Sequence, residues 1–196
     1  MELERRFLKE SELELRAEGE EPPKIAGYAA VFDAMSEDLG GFREKIAPGA
    51  FTKALGMDVR ALFNHDPSVV LGRTKAKTLN LREDNRGLYV EFTPPASEAA
   101  RSVIESIRRG DIDQMSFGFR TVSDTWEDKD GEIVRTLNEV ELFDVSVVTY
   151  PAYPQTRVDV RGLDVAKRSF EEWVESMTPP LPDFQLMRRK LELVAA

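Results

Sequence analysis

The chain has no cysteine and only one histidine. The first absence excludes disulfides, thiolate metal centres and a cysteine nucleophile. The second excludes a zinc site built from several imidazoles, and with no other ligand motif in view neither a metal nor a cofactor is expected. Apolar runs of the roughly 20 residues needed to span a bilayer are missing. The opening MELERRFLKE has no signal-peptide character. No membrane partner is expected, and the expected compartment is a cytoplasm. Basic residues are outnumbered, 27 against 36 acidic, for a net charge of -9. Nucleic acid is therefore not an expected partner, because phosphate binding needs clustered Lys and Arg. What is present is a chain of 196 residues, 41% hydrophobic and 32% charged. That suits one domain with a sizeable core and some peripheral decoration. If such a chain is a nucleophilic hydrolase, its nucleophile is a hydroxyl. If its base is an imidazole, that base is His65.

Alternation of apolar and polar residues predicts many strands. One includes Leu13, Leu15 and Ala17, with a wet face of Glu12, Glu14 and Arg16, followed by an EGEEPP turn. KIAGYAAVFD (24–33) is a second, with Gly27 as its expected bulge, and FREKIA a third. PGAFTKAL (48–55) reads as a short helix opened by Pro48. VRALFN (59–64) is a strand running into His65, which precedes an Asp-Pro turn. Further strands are expected at 75–82, 87–92, 115–122, 132–142 and 144–149. The clearest helix is SEAARSVIESIRRG, with Ser97 as N-cap, an apolar stripe of Ala100, Val103, Ile104 and Ile107, and Gly110 as left-handed cap. The tail predicts a helix from a capping box at Ser169 to Glu172, with Phe170, Trp173, Val174 and Met177 on one face. Another amphipathic helix is expected over 183–195. Seven or more strands with few helices suggest a mainly β, α+β fold: a closed or nearly closed barrel flanked by helices, with a β-sandwich as the alternative.

Three segments bear on chemistry. In DQMSFGFRTV, Met115, Phe117 and Phe119 form the core face of a strand, so Ser116 is held on its other face. Gly118, two residues on, leaves room for another backbone, and Arg120 continues the same face toward a substrate or a developing negative charge. A nucleophile attacking a peptide needs such rigid placement and such space; an edge-strand serine bonded to solvent is the alternative. His65 ends an apolar strand, where a scaffold presents reactive groups, although a lone histidine is more often a satisfied surface or core residue. Asp144 interrupts the apolar run LFDVSVV. A carboxylate there costs several kcal/mol, of order 2–7 for a polar group, unless something donates hydrogen bonds to it. A histidine ring N–H is one suitable donor and an arginine another. Glu139 and Glu141 are nearby acids, and strict alternation sets Glu141 on the face opposite Asp144. Together a hydroxyl, an imidazole and a carboxylate fit the division of labour in a serine hydrolase.

Five blocks, GYAAVFD, GFREKIAPGAF, LFNHD with VLGRT, MSFGF and FDVSVVTYPAYP, occur in order over roughly 24 to 160. The chain in this respect resembles the prohead (capsid maturation) proteases of tailed bacteriophages of the HK97 type. The resemblance implies His65 as base, Ser116 as nucleophile and Asp144 as third member, at a position where many relatives carry Glu. It implies the barrel of about seven strands shared with herpesvirus assemblins. It also implies a job: cutting scaffolding protein, or the scaffold portion of the major capsid protein, and then itself, inside the immature capsid in the host cytoplasm. The turn Pro151-Ala152-Tyr153-Pro154 is a candidate oxyanion hole through the Ala152 and Tyr153 amides, or a plain rigid turn. Residues 1–163 would form the protease domain. Residues 164–196 would form a helical tail that packs on the barrel, docks on scaffold, forms a homodimer or is removed by self-cleavage. A non-enzymatic capsid-assembly module on the same barrel is the competing reading. A carboxylate-based glycosidase is set aside, since chance acid pairs are guaranteed at this acidity.

Overall fold

The computed structural model describes residues 3–7, 13–16, 22–149 and 160–177. Its strands in chain order are β1 (Glu4–Phe7), β2 (Leu13–Arg16), β3 (Lys24–Val31), β4 (Arg43–Ile46), β5 (Arg60–Phe63), β6 (Asp66–Arg73), β7 (Leu79–Glu83), β8 (Gly87–Phe92), β9 (Gln114–Lys129) and β10 (Glu132–Val148). Helix α1 is Glu98–Arg109 and helix α2 Val160–Met177. One sheet runs β1-β9-β10-β5-β6, with β4 also paired to β10; a separate antiparallel sheet runs β2-β3-β8-β7. The class is therefore α+β, built from a curled, partly open sheet and a second antiparallel sheet. The expected closed barrel of about seven strands is not what forms. Among the described residues no ladder joins β6 back to β1 or one sheet to the other, so both keep open edges.

The organising unit is the β9–β10 hairpin. Its turn is Asp130-Gly131, both with positive φ (57° and 86°), the Asp-Gly geometry that matches the twist of flanking strands. The strands expected separately at 132–142 and 144–149 form one strand, because its irregularities are bulges rather than breaks: register shifts fall at Leu137/Glu139, Glu139/Val140 and Leu142/Asp144. On its far edge β10 pairs in parallel with β4 through Val134–Leu137 and with β5 through Asp144–Val147. Between these two, Val140 N–H donates to Ala50 O at 3.1 Å. Segment 48–55 is mostly turn, with a single 3-10 turn at Ala54–Gly56 instead of the expected helix.

The core contains the inward faces of β3, β8, β9 and β10 and the apolar stripe of α1. Phe51 packs edge-on against Phe117 at 5.5 Å, and Phe117 stacks on Phe119 at 5.0 Å. Helix α1 has the expected caps: Ser97 Oγ accepts from Ala100 N–H, and Gly110 is left-handed at φ 77°. The bulge in β3 falls between Tyr28 and Ala30 rather than at Gly27. Helix α2 begins at Val160, so Ser169 lies inside it and does not start it. By its contacts the chain divides into units Met1–Val165 and Ala166–Ala196. The helix expected over 183–195 and the EGEE residues 18–21 of the expected turn lie outside the described residues.

Candidate active site

His65 sits in the tight turn of the β5–β6 hairpin. Phe63 pairs with Asp66 across it, and both central residues are left-handed, Asn64 at φ 51° and His65 at φ 57°. That conformation costs a non-glycine residue roughly 1–2 kcal/mol, so the surroundings must hold it. Asn64 N–H donates to Val147 O at 2.9 Å, and Asn64 Oδ1 accepts from Thr149 N–H at 3.0 Å. These bonds tie the turn to the end of β10. The expected Asp-Pro turn after His65 is not formed; Asp66 and Pro67 open β6.

Across the hairpin Ser116 pairs with Ser146, and Gly118 with Asp144. Asp144 thus stands directly opposite a residue with no side chain. A Cβ added at Gly118 would lie 2.3 Å from Asp144 Oδ2. The space beside Gly118 was expected to receive a substrate backbone; it is filled by this carboxylate. The His65 ring lies between the two strands' side chains: Nδ1 is 2.6 Å from Asp144 Oδ1, and Nε2 is 2.6 Å from Ser116 Oγ. The sequence reading missed Ser146. Its Oγ donates to Asp144 Oδ1 at 2.6 Å and lies 3.3 Å from His65 Nδ1. The signal was available in the DVS spacing, which sets residues 144 and 146 on one face. Two donors therefore satisfy a carboxylate that is almost wholly buried, as its apolar neighbours require.

The other predicted residues fall elsewhere. Arg120 forms an ion pair with Glu141, and Glu139 one with Lys53. Glu141 pairs with Arg120 and Asp144 with Gly118. Arg120 and Gly118 share a face of β9, so Glu141 and Asp144 share a face of β10. The bulge at Phe143 overturns the expectation that they oppose each other. Ala152 and Tyr153 lie outside the described residues.

Strand β1 covers the free edge of β9, with Arg6 opposite Phe117 and Phe7 opposite Ser116. Ser116 Oγ donates to Arg6 O at 3.0 Å, and Ser116 has no exposed surface. It was expected on an open face. On the core side of the same edge is a buried ionic cluster. Arg6 Nε donates to Glu44 Oε1 at 2.7 Å, Arg135 Nη1 to Glu4 Oε2 at 2.9 Å and to Glu44 Oε2 at 2.8 Å, and Arg135 Nε to Asp124 Oδ2 at 2.7 Å. Thr121 Oγ1 donates to Glu4 Oε1 at 2.6 Å. Burial pushes the Glu4 carboxyl up, but Arg6 and Arg135 outweigh it and hold the group below its ordinary range.

The chain matches the family model of the caudovirus prohead serine proteases over residues 11–174. It is 30% identical over 176 residues to the prohead protease of Enterobacteria phage HK97, an alignment covering 84% of this chain and 72% of that protein. The solved structure of the bacteriophage T4 capsid assembly protease gp21 is similar at a TM-score of 0.48 and 14% identity, covering 76% of this chain and 98% of that one. With five sixths of its length inside one family model, the chain belongs to the caudovirus prohead serine proteases.

Proposed function

We propose that this chain is a serine endopeptidase of phage capsid maturation, with Ser116 as nucleophile, His65 as general base and Asp144 as the acid that orients it. The observation that carries the reading is the His65 ring, 2.6 Å from a carboxylate oxygen at Nδ1 and 2.6 Å from a hydroxyl at Nε2. With Asp144 ionised, Nδ1–H donates to it and Nε2 keeps a lone pair for the serine proton. Ser116 Oγ attacks the scissile carbonyl carbon as its proton passes to Nε2. The imidazolium formed is stabilised by Asp144 and returns that proton to the leaving amine as the C–N bond breaks. Water, deprotonated by the same ring, then hydrolyses the acyl-enzyme. Its amide donors to the oxyanion are assigned to Ala152 and Tyr153.

The substrates in this reading are scaffolding protein, or the scaffold domain of the major capsid protein, and the protease itself. The place of action is the immature capsid in the host cytoplasm. A homodimer through the tail, a domain boundary at 163/164 and kinship with herpesvirus assemblins belong to the same reading. The last rests on motif resemblance. The test is incubation with scaffold, mapping new termini by mass spectrometry, and labelling with a fluorophosphonate probe. Ser116→Ala is expected to abolish cleavage and labelling and to leave the thermal midpoint unchanged. Undiminished processing by that variant would remove Ser116 from the role. The burial of Ser116 favours a second reading, a scaffold-binding module without catalysis. It predicts saturable scaffold binding with no labelling under any condition.

A further inference from the structure

A polar atom buried without a partner costs free energy, and a folded chain keeps few of them. Among the described residues three side-chain atoms are in that condition: Arg5 Nε, Glu141 Oε2 and Gln114 Oε1. Glu141 is relieved by its ion pair with Arg120, and Arg5 keeps four other N–H donors on the same guanidinium. Gln114 has no such relief. Its carboxamide enters no hydrogen bond with the described residues. The oxygen is shut off from solvent, whereas Nε2 is not among the buried atoms and so reaches the surface.

Gln114 opens β9 two residues before Ser116. It pairs with Val148, Ser116 with Ser146 and Gly118 with Asp144, and no register shift interrupts the three rungs. Gln114, Ser116 and Gly118 therefore share one face, spaced about 7 Å apart along the strand. Other sides of the Ser116 hydroxyl are taken. Asp144 fills the space over Gly118, and the His65 ring lies against Ser116 from the side of β10. The ladder to β1 ends at the rung of Phe7 and Ser116, so Gln114 stands past it.

Attack by Ser116 Oγ forms a C–O bond and moves the π pair of the scissile carbonyl onto its oxygen, while the serine proton passes to His65 Nε2. The leaving amine must face the ring that will protonate it, so the new negative oxygen is directed away from the ring. A donor accelerates this step only if it holds that oxygen better than it held the ground state. An amide already bonded within the protein would first give up that bond. Gln114 has none to give up, and its N–H end is the accessible one. We propose that Gln114 Nε2–H donates to the oxyanion formed on Ser116, a side-chain donor that adds to the main-chain donors assigned above. The unpartnered oxygen is then the cost of turning the N–H end outward. The inference rests on the serine-protease reading and adds a catalytic residue to it.

The test compares the full chain with Gln114→Leu, which removes both ends of the amide at similar volume, and with Gln114→Glu, which keeps an oxygen and removes the donor. Losing one oxyanion donor lowers kcat about 100- to 1,000-fold. Scaffold cleavage by either variant is expected to lose at least 100-fold in kcat, with KM changed less than threefold. Fluorophosphonate labelling of Ser116, whose adduct places an oxygen where the oxyanion forms, should slow at least tenfold in both. The thermal midpoint of Gln114→Leu should equal or exceed that of the unaltered chain, because the orphaned acceptor is gone. Labelling and kcat within threefold of the unaltered chain would overturn the inference and leave the serine-protease reading standing. So would a loss confined to KM, or a Gln114→Glu chain that stays active while Gln114→Leu does not, since the oxygen would then be the working end. A Gln114→Leu chain melting several degrees lower would show a structural role instead. An unaltered chain that neither takes the label nor cuts scaffold would overturn the serine-protease reading itself, and this inference with it.

Discussion

The two faces of β9 hold opposite solutions to the same problem, polar groups out of water. On one face Glu4, Arg6, Glu44, Asp124 and Arg135 are fixed charges, each matched by opposite charge at 2.7–2.9 Å. On the other, Ser116, His65, Asp144 and Ser146 are linked through hydrogens that can be shared or moved. The first face grips and the second reacts. Both depend on β10, which contributes Arg135 to one and Asp144 and Ser146 to the other. Catalysis needs the reacting side to be placed within a fraction of an ångström, whereas an ion-pair cluster tolerates rearrangement as long as charge stays paired.

Gly118→Ala is the sharpest way to break that contrast. The new methyl would sit 2.3 Å from Asp144 Oδ2 and 3.2 Å from its Cγ, so the carboxylate must swing away from His65. A misplacement of this size costs about 100-fold in rate or more. Peptide turnover is expected to fall by at least that factor, measured as kcat/KM, with a thermal midpoint lowered by only a few degrees. Unchanged turnover would mean that the carboxylate does not orient the ring.

The gripping face predicts a stability effect with a pH signature. Glu4→Gln leaves Arg6 and Arg135 short of a carboxylate, and breaking a buried pair costs about 3–5 kcal/mol. The native Glu4 carboxyl is held below its ordinary range. In the interval between that lowered value and the ordinary one, about 4.3, the unfolded chain binds more protons than the folded one. The stabilisation from Glu4 is therefore complete above the ordinary range and lost as pH falls through the lowered folded value. The groups facing Glu4 are Arg6 on its own strand, Thr121 on β9 and Arg135 on β10, with Glu44 of β4 beyond them. Urea denaturation should show a gap between native and Glu4→Gln chains at pH 7 that closes in acid. A gap independent of pH would show that Glu4 acts through packing instead of charge.

This contrast also explains what was readable before any coordinates. Helix α1 was legible down to its caps, because Ser97, the apolar spacing and Gly110 act locally. Ser116 and its core-facing neighbours were legible through period-two alternation. Strand β1 was not: ERRF carries three charges, and alternation registers apolarity, not the pairing that buries Glu4 and Arg6. The role of Gly118 was misread for a related reason, since a gap shows that something lies close without saying what. Glu141 was misplaced because a bulge at Phe143 resets the alternation on which its face was reckoned. His65 was located at a strand end, but its left-handed turn depends on bonds to Val147 and Thr149, more than 80 residues away in sequence.

Ser146→Ala gives the smallest effect and the finest comparison. The Ser146 hydroxyl and the His65 ring meet the same oxygen, Asp144 Oδ1, each at 2.6 Å. Removing the hydroxyl leaves the carboxylate with one donor in place of two, while the ring stays in contact. A hydrogen bond to a charged group contributes about 1.5–3 kcal/mol, and a difference of 1.4 kcal/mol is a factor of ten in rate. Because Ser146 acts on the orienting group and not on the substrate, roughly a tenfold fall in kcat is expected with KM little changed. Ser146→Thr retains the hydroxyl and should recover most of it. A fall confined to KM would place Ser146 in substrate binding. A thousandfold loss would mean that the hydroxyl, and not the carboxylate alone, holds the ring in register with Ser116.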